Sequence, residues 1–109
     1  MKLYWVTTPC HHEDWFVYAW SKEDAENFFE VYEGFDYGDS TARFIKKIPK
    51  EIISKNNLLE EAYAETELLE ELHLLILSRH HPRTVVYRGD IFEEGSLINL
   101  FSWPPLIMN

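Results

Sequence analysis

Two short stretches of this sequence carry side chains that could bind a metal ion. Residues 10–14 read Cys-His-His-Glu-Asp, and a second histidine pair occupies positions 80 and 81. A zinc site needs three or four nitrogen, sulfur or oxygen donors in tetrahedral geometry, and two such loops could supply them. Adjacent residues of an extended segment point in opposite directions, however, and the chain has neither an HExxH motif nor paired CxxC spacing. A metal-dependent hydrolase with Glu13 or Asp14 as its base is therefore the alternative hypothesis, and its ligands would be His11, His12, His80 and His81.

The sequence offers little else for catalysis. It has no G-x-S-x-G nucleophile motif and no glycine-rich phosphate loop, and Cys10 beside His11 is not a dyad, because catalytic partners meet in space. Glu65 stands out, because it falls inside the apolar stripe of a predicted long helix. A carboxylate there would need a cationic or hydrogen-bonding partner, or would serve as a general acid. We therefore favour a non-catalytic protein with no cofactor.

Charge is arranged in blocks along the chain, and the total is -9. Residues 1–42 contain nine acids and two lysines, and residues 60–71 contain six glutamates and no basic residue. On helices these acids would form surfaces that attract a basic partner and make association fast and salt-sensitive. The sequence thus predicts a small binding or regulatory protein, such as an inhibitor, an immunity-type protein or an adaptor. The residues that we expect to dock the basic protein partner are Glu23, Glu26, Glu30, Glu33, Glu60, Glu67 and Glu71.

One basic segment interrupts this pattern. Residues 43–55 carry Arg43 and four lysines against a single acid. Nucleic-acid binding would want these cations beside exposed aromatic rings such as those of Phe44 or Tyr37. The net charge of -9 argues against nucleic acid as a partner. The segment instead resembles an edge strand that lysines protect from pairing, or an internal partner for the acidic helix.

The hydrophobic pattern predicts an α+β fold with the order ββαβαβ. Strands are expected at residues 2–8, 14–20, 41–48 and 84–88, and the second of them should be covered on both faces. Ser21 and Gly34 delimit a helix, and Asn57 is the expected N-cap of a long helix over residues 58–79. Residues 90–103 fit either a second hairpin or a short helix. We expect a mostly antiparallel sheet of four to five strands with two main helices packed on one face.

Length and composition set the remaining expectations. With 109 residues the chain is expected to form one domain, and 46% apolar residues suffice for a core. The single cysteine, together with the absence of a long apolar segment or signal sequence, predicts a cytoplasmic protein that does not enter the membrane. Self-association stays open as an alternative to a second protein. Trp103 belongs to an apolar tail that either packs on the core or contacts another protein.

Overall fold

A computed structural model describes residues 1–95 and confirms the α+β class. The elements in chain order are β1 (Lys2–Thr7), β2 (Trp15–Ala19), α1 (Lys22–Glu33), β3 (Thr41–Lys47), α2 (Lys50–Asn56), β4 (Ala62–Tyr63), α3 (Thr66–Glu71), β5 (Leu75–Ser78), β6 (Thr84–Tyr87) and β7 (Asp90–Glu93). The strands form two antiparallel sheets, one of four strands in the order β3-β1-β2-β4 and one of three in the order β5-β6-β7. The prediction of one sheet is therefore wrong, although the class is right.

The first half of the chain follows its local signals closely. β1 and β2 form the expected hairpin, and β2 lies between β1 and β4 with both of its faces largely buried. In α1 the Ser21 hydroxyl accepts a hydrogen bond from the Asp24 backbone N–H at 3.1 Å, and Gly34 ends the helix with a φ of 76°. Ala25 and Phe29 of α1 pack on one face of the larger sheet. Each of these two caps bonds to a residue three or four positions away, Asp24 for Ser21 and Glu30 for Gly34, so local sequence is sufficient to locate α1.

The opposite face of the larger sheet is covered by the second half of the chain. Leu3 and Phe16 from that sheet share a core with Leu69 from α3, and with Val85 and Phe92 from the smaller sheet. The helices therefore lie on both faces of the larger sheet, and the prediction that both main helices pack on one face is wrong. Because the two sheets share this core, side chains from distant parts of the sequence meet at the edge of the core.

The predicted long helix over residues 58–79 does not form. Asn57 ends α2 with a φ of 56°, and the Leu58 N–H donates to the Ile53 carbonyl at 3.0 Å. His73 ends α3 in the same way, with a φ of 69° and a bond from the Leu74 N–H to the Leu69 carbonyl. Both ends are Schellman motifs, which usually place glycine at the left-handed position. Asparagine and histidine occupy those positions here, so the two helix ends carry no glycine signal in the sequence.

The ambiguous region after residue 90 begins as a hairpin. β6 and β7 are joined by Arg88 and Gly89, which have φ angles of 51° and 83°, as a tight type I′ turn requires. The strand predicted at residues 84–88 is confirmed as β6. The rest of the predicted segment, including Trp103, lies outside the described residues.

Candidate functional site

A cleft of about 260 Å³ opens where the β1–β2 loop, the end of α1, β4 and the end of β7 meet. Its lining includes Glu13, Trp15, Glu33, Tyr63, Arg83 and Glu94. Glu13, Trp15 and Glu33 precede the end of α1, whereas Tyr63, Arg83 and Glu94 come from the second half of the chain, so both halves build the cleft. A concave surface with aromatic walls and several convergent polar groups is the usual form of a ligand site.

The β1–β2 loop is held in place by Asp14 and Gly95. The buried Asp14 carboxylate accepts hydrogen bonds from the Thr8 N–H at 3.3 Å and from His11 Nδ1 at 2.6 Å. The Gly95 N–H donates to the Asp14 carbonyl at 2.9 Å, and a Cβ on Gly95 would lie 2.4 Å from the Asp14 nitrogen. Only glycine allows this approach, so Gly95 fixes the loop against the end of β7.

One wall of the cleft is formed by the ion pair of Arg83 and Glu94, in which both carboxylate oxygens accept hydrogen bonds. The Arg83 guanidinium donates from Nε and from a terminal nitrogen to the two Glu94 oxygens, at 3.0 and 2.7 Å, and His81 Nδ1 lies 2.9 Å from Glu94 Oε1. Arg83 also stacks 4.0 Å from the Trp15 ring, whose indole N–H donates to the Ala64 carbonyl. Burial alone would raise the pKa of the Glu94 carboxyl, but the bonds from Arg83 hold that pKa below its ordinary value.

The opposite wall has two carboxylates, those of Glu13 and Glu33, that form no ion pair with any described residue. The Tyr63 hydroxyl donates a short hydrogen bond to Glu33 Oε2, and burial followed by this bond raises the pKa of Tyr63. Burial also raises the pKa of Glu13, and the negative charge of Glu33 raises it further. Within residues 1–95, neither Glu13 nor Glu33 forms an ion pair. A positively charged group placed between them would therefore be stabilised.

The predicted α1 glutamates have different environments. Glu30 is only 4% exposed, and its Oε2 accepts hydrogen bonds from the Ser40 hydroxyl at 2.6 Å and from the Ser40 and Gly38 N–H groups. Glu26 Oε2 accepts from the Ala42 N–H at 2.8 Å and pairs with Lys22 at 2.7 Å. Glu30 is therefore a structural residue that ties α1 to the start of β3, which corrects its assignment to an exposed docking surface. Glu33 faces the cleft, and Glu23 is exposed.

The later glutamates are partly neutralised by the chain itself. Glu71 pairs with Lys55 at 2.9 Å, and Glu67 lies 3.6 Å from Arg79, which also contacts Glu70. Glu60 is exposed and makes no ion pair within the described residues. Glu65 is exposed at the N-terminal end of α3, so it does not lie in an apolar stripe as predicted. Of the seven predicted docking residues, Glu23 and Glu60 combine exposure with the absence of an ion pair in residues 1–95.

The histidine loops approach each other without forming a metal site. Glu13 is influenced electrostatically by both His12 and His81, and Gly95 brings the first loop beside the strand that carries Glu94. His11 is bonded to Asp14, and His80 is exposed. Among residues 1–95, no group of three or more histidine, cysteine or acidic side chains could hold a metal ion. The four histidines of the metal hypothesis therefore do not converge on one ion in this part of the chain.

The basic segment is also used internally. Arg43 pairs with Asp90 at 2.6 Å, Lys55 pairs with Glu71, and Lys46 donates to the Leu72 carbonyl. These contacts join β3 and α2 to the second half of the chain. Internal pairing was one of the two structural interpretations of this segment.

The outer face of α1 carries an apolar surface that the sequence patterns did not reveal. Val31 is 82% exposed and Tyr32 is 70% exposed. They border a shallow hollow of about 360 Å³, and we name this surface the α1 patch, which consists of Asp24, Asn27, Phe28, Val31, Tyr32 and Glu61. The Tyr63 ring lies 5.2 Å from Phe28 and 5.9 Å from Tyr32, so it separates the α1 patch from the cleft. Val31, an apolar residue on the polar side of the helical wheel, was the available signal.

Comparisons of this chain with protein-family models, with curated proteins and with solved structures find no match. None of the helices in residues 1–95 is long and apolar enough to cross a membrane.

Proposed function

We propose that this chain is a non-catalytic binding or regulatory protein that docks a basic protein partner on the outer face of α1. The observation that carries the proposal is the α1 patch, where Val31 and Tyr32 project into solvent. An apolar centre with a polar rim is the usual anatomy of a protein interface, and aromatic residues are enriched there. Exposed apolar clusters of this kind mark interaction sites in proteins.

The rim of the patch supports a basic partner. Asp24 and Glu61 border the hollow, and Glu23 is exposed at the start of the same helix. None of these three acids forms an ion pair within the described residues. A second copy of the chain would bring like charges together, because its own net charge is -9. Charge complementarity therefore favours a different, cationic protein over self-association.

Glu60 and Leu59 extend the same surface beyond Glu61. Both are exposed, and together with Glu61 they border a second hollow next to β4. The acidic docking surface that we propose thus consists of the α1 patch with Glu23, Leu59 and Glu60 around it. Glu26, Glu30 and Glu71 are engaged by internal hydrogen bonds or ion pairs and support the fold instead.

Charge neutralisation on the patch tests the proposal. The probe is a fluorescently labelled peptide of alternating arginine and leucine, whose anisotropy is followed during titration at low and at physiological salt. The variant Glu23→Gln/Glu61→Gln should weaken binding about fivefold, because exposed charge pairs contribute about 0.2–1 kcal/mol each. The control Glu51→Gln/Glu93→Gln removes the same charge from two other exposed positions and should bind as wild type.

A second pair of variants tests the apolar centre. Val31→Ser/Tyr32→Ser should weaken binding of the same peptide. Leu75→Ser/Leu77→Ser removes two other exposed apolar side chains, from the smaller sheet, and should leave binding unchanged. If a control variant loses as much peptide affinity as the patch variant it is matched to, this face is not the docking surface. The same conclusion follows if peptide affinity does not change with salt concentration.

We also propose a cytoplasmic location. Cys10 is an exposed free thiol, and single unpaired cysteines are typical of reducing compartments.

A further inference from the structure

We propose that the cleft binds an arginine side chain of the same partner, so that recognition uses an apolar anchor on the α1 patch and a guanidinium in the cleft. This inference rests on the proposed function and adds the chemistry of a second contact point. The two points lie on opposite sides of Tyr63, whose ring contacts Phe28 and Tyr32 of the patch. A single extended segment of the partner can therefore cross Tyr63 and reach both.

The charge of the cleft selects a cation. Glu13 and Glu33 face it from the β1–β2 loop and from the end of α1, and neither forms an ion pair within residues 1–95. The cation on the other wall, Arg83, already donates to both oxygens of Glu94 and does not compensate Glu13. The positive influence of His12 and His81 on Glu13 is outweighed by burial and by the charge of Glu33.

The shape and the walls favour a guanidinium. The volume of about 260 Å³ is below the range of about 300–1,000 Å³ that is usual for drug-sized ligands, so it suits one side chain. The walls include the rings of Trp15 and Tyr63, and Arg83 already stacks on Trp15 at 4.0 Å. A guanidinium is planar, stacks on aromatic rings and donates to two carboxylates at once, whereas an ammonium is a compact and strongly hydrated charge.

A metal ion fits this cleft less well. No group of three or more possible metal ligands forms among residues 1–95. Glu33 has its Oε2 engaged by the Tyr63 hydroxyl, and Glu94 is held by Arg83. The Glu13 carboxylate and the second oxygen of Glu33 come from separate elements, and a guanidinium has several donors with which to reach both.

The test uses short acetylated and amidated glycine–serine peptides that contain one leucine and one arginine, separated by one, two or three residues. Each extended residue spans about 3.3 Å, so the series varies the separation of the leucine and the arginine in steps of that length. Binding is followed by the chemical shifts of the Trp15 indole N–H and the Gly95 amide in the cleft, and of the Val31 amide on the patch. A matched series replaces arginine with citrulline, which has the same shape without the charge.

The expected result is a difference of about tenfold in affinity between arginine and citrulline peptides on the wild-type protein. In Glu13→Gln this difference should largely disappear, while the effect of replacing the peptide leucine with alanine persists. In Val31→Ser the difference between arginine and citrulline peptides should persist, while the effect of replacing the peptide leucine with alanine should largely disappear. Glu93→Gln, an exposed glutamate on β7, serves as the charge-matched control and should behave as wild type.

The outcomes separate the two proposals. If the peptides shift the Val31 resonance but arginine and citrulline bind alike, the arginine site in the cleft is wrong and the docking surface stands. If Glu13→Gln leaves the arginine preference intact, the guanidinium lies elsewhere and the inference is overturned. If neither the short peptides nor the alternating arginine–leucine peptide binds, the proposed function itself fails.

Discussion

The two walls of the cleft contain the same acidic residue type in opposite electrostatic states. On one wall Glu94 is paired with Arg83, and its pKa lies below the ordinary value; on the other wall Glu13 faces Glu33, and its pKa lies above that value. Both carboxylates are partly buried and they line one cavity. Burial opposes ionisation of both carboxyls, so the opposite directions of their pKa shifts come from their charged neighbours, Glu33 for Glu13 and Arg83 for Glu94.

The difference assigns separate roles to the two walls. The Arg83–Glu94 wall joins the end of β7 to the start of β6, since Arg83 also donates its backbone N–H to Glu94 at 3.1 Å and its carbonyl accepts from the Glu94 N–H. The Glu13–Glu33 wall holds charge that the described part of the fold does not neutralise. We therefore expect changes on the first wall to lower stability most, and changes on the second wall to alter binding while having smaller effects on stability.

The largest effect should come from breaking the paired wall. Arg83→Met should lower the free energy of unfolding by about 2–3 kcal/mol, because it leaves a carboxylate buried without its cation. The Glu94 side chain is only 13% exposed, whereas Arg43 and Asp90 form a solvent-exposed pair. Arg43→Met is the matched control and should cost less than about 1 kcal/mol. Urea unfolding at neutral pH measures both, and equal losses would contradict a structural role for the Arg83–Glu94 wall.

A smaller loss of stability is expected when the Tyr63 hydroxyl is removed from the Glu13–Glu33 wall. Tyr63→Phe keeps the ring between Phe28 and Tyr32 but deletes the hydrogen bond to Glu33, at a cost of about 1 kcal/mol. Tyr37→Phe, at an exposed position, should leave the unfolding midpoint unchanged. Thermal unfolding of the two variants provides the comparison. A wild-type midpoint for Tyr63→Phe would mean that water replaces this bond without loss.

The smallest expected effect, that of Glu13→Gln, is a gain in stability, whereas the two preceding variants lose stability. Because the folded pKa of Glu13 is raised, its stabilising contribution is complete below its unfolded pKa and is lost as pH rises through the folded pKa. Glu13→Gln should therefore stabilise the protein at neutral pH, by a few tenths of a kcal/mol because the site is partly solvated. The gain should vanish below the ordinary carboxyl pKa of about 4.3.

Glu94→Gln gives the mirror-image titration. The pKa of Glu94 is lowered in the folded protein, so its contribution is present above the unfolded pKa and is lost as pH falls through the folded pKa. This variant should destabilise the protein at neutral pH and converge with wild type in acid. Unfolding curves across the acidic range would decide the signs, and a loss of stability in both variants at neutral pH would contradict the asymmetry of the walls.

The predictable parts of the fold are those with local chemical signals. Ser21 and Gly34 delimit α1, and the aromatic residues of β2 indicate burial on two faces. The region around α3 could not be predicted in the same way, because its leucines fit a helical stripe as well as a strand. The competing signals were the helix ends at Asn57 and His73, whose left-handed backbone is uncommon for residues other than glycine.

For the candidate site, the sequence predicted residue types but not their arrangement in space. The acidic character follows from residue types, whereas the approach of the two histidine-bearing loops and the cleft between them need the tertiary contact of Gly95 with Asp14. Glu30 shows the limit most clearly, since its helix position suggests exposure and the return of the chain at Ser40 buries it. No pattern within α1 could reveal that contact.

The residues alone determined the α+β class, the bounds of α1 and the strong excess of acid, because these depend on side-chain types and on spacing within a few positions. Only the tertiary structure decided which acids are neutralised, buried or left facing a cavity. The ionisation of a carboxylate depends on solvent access and on the charges around it, and for Glu13 and Glu94 those neighbours come from distant parts of the chain or from the opposite strand of a sheet.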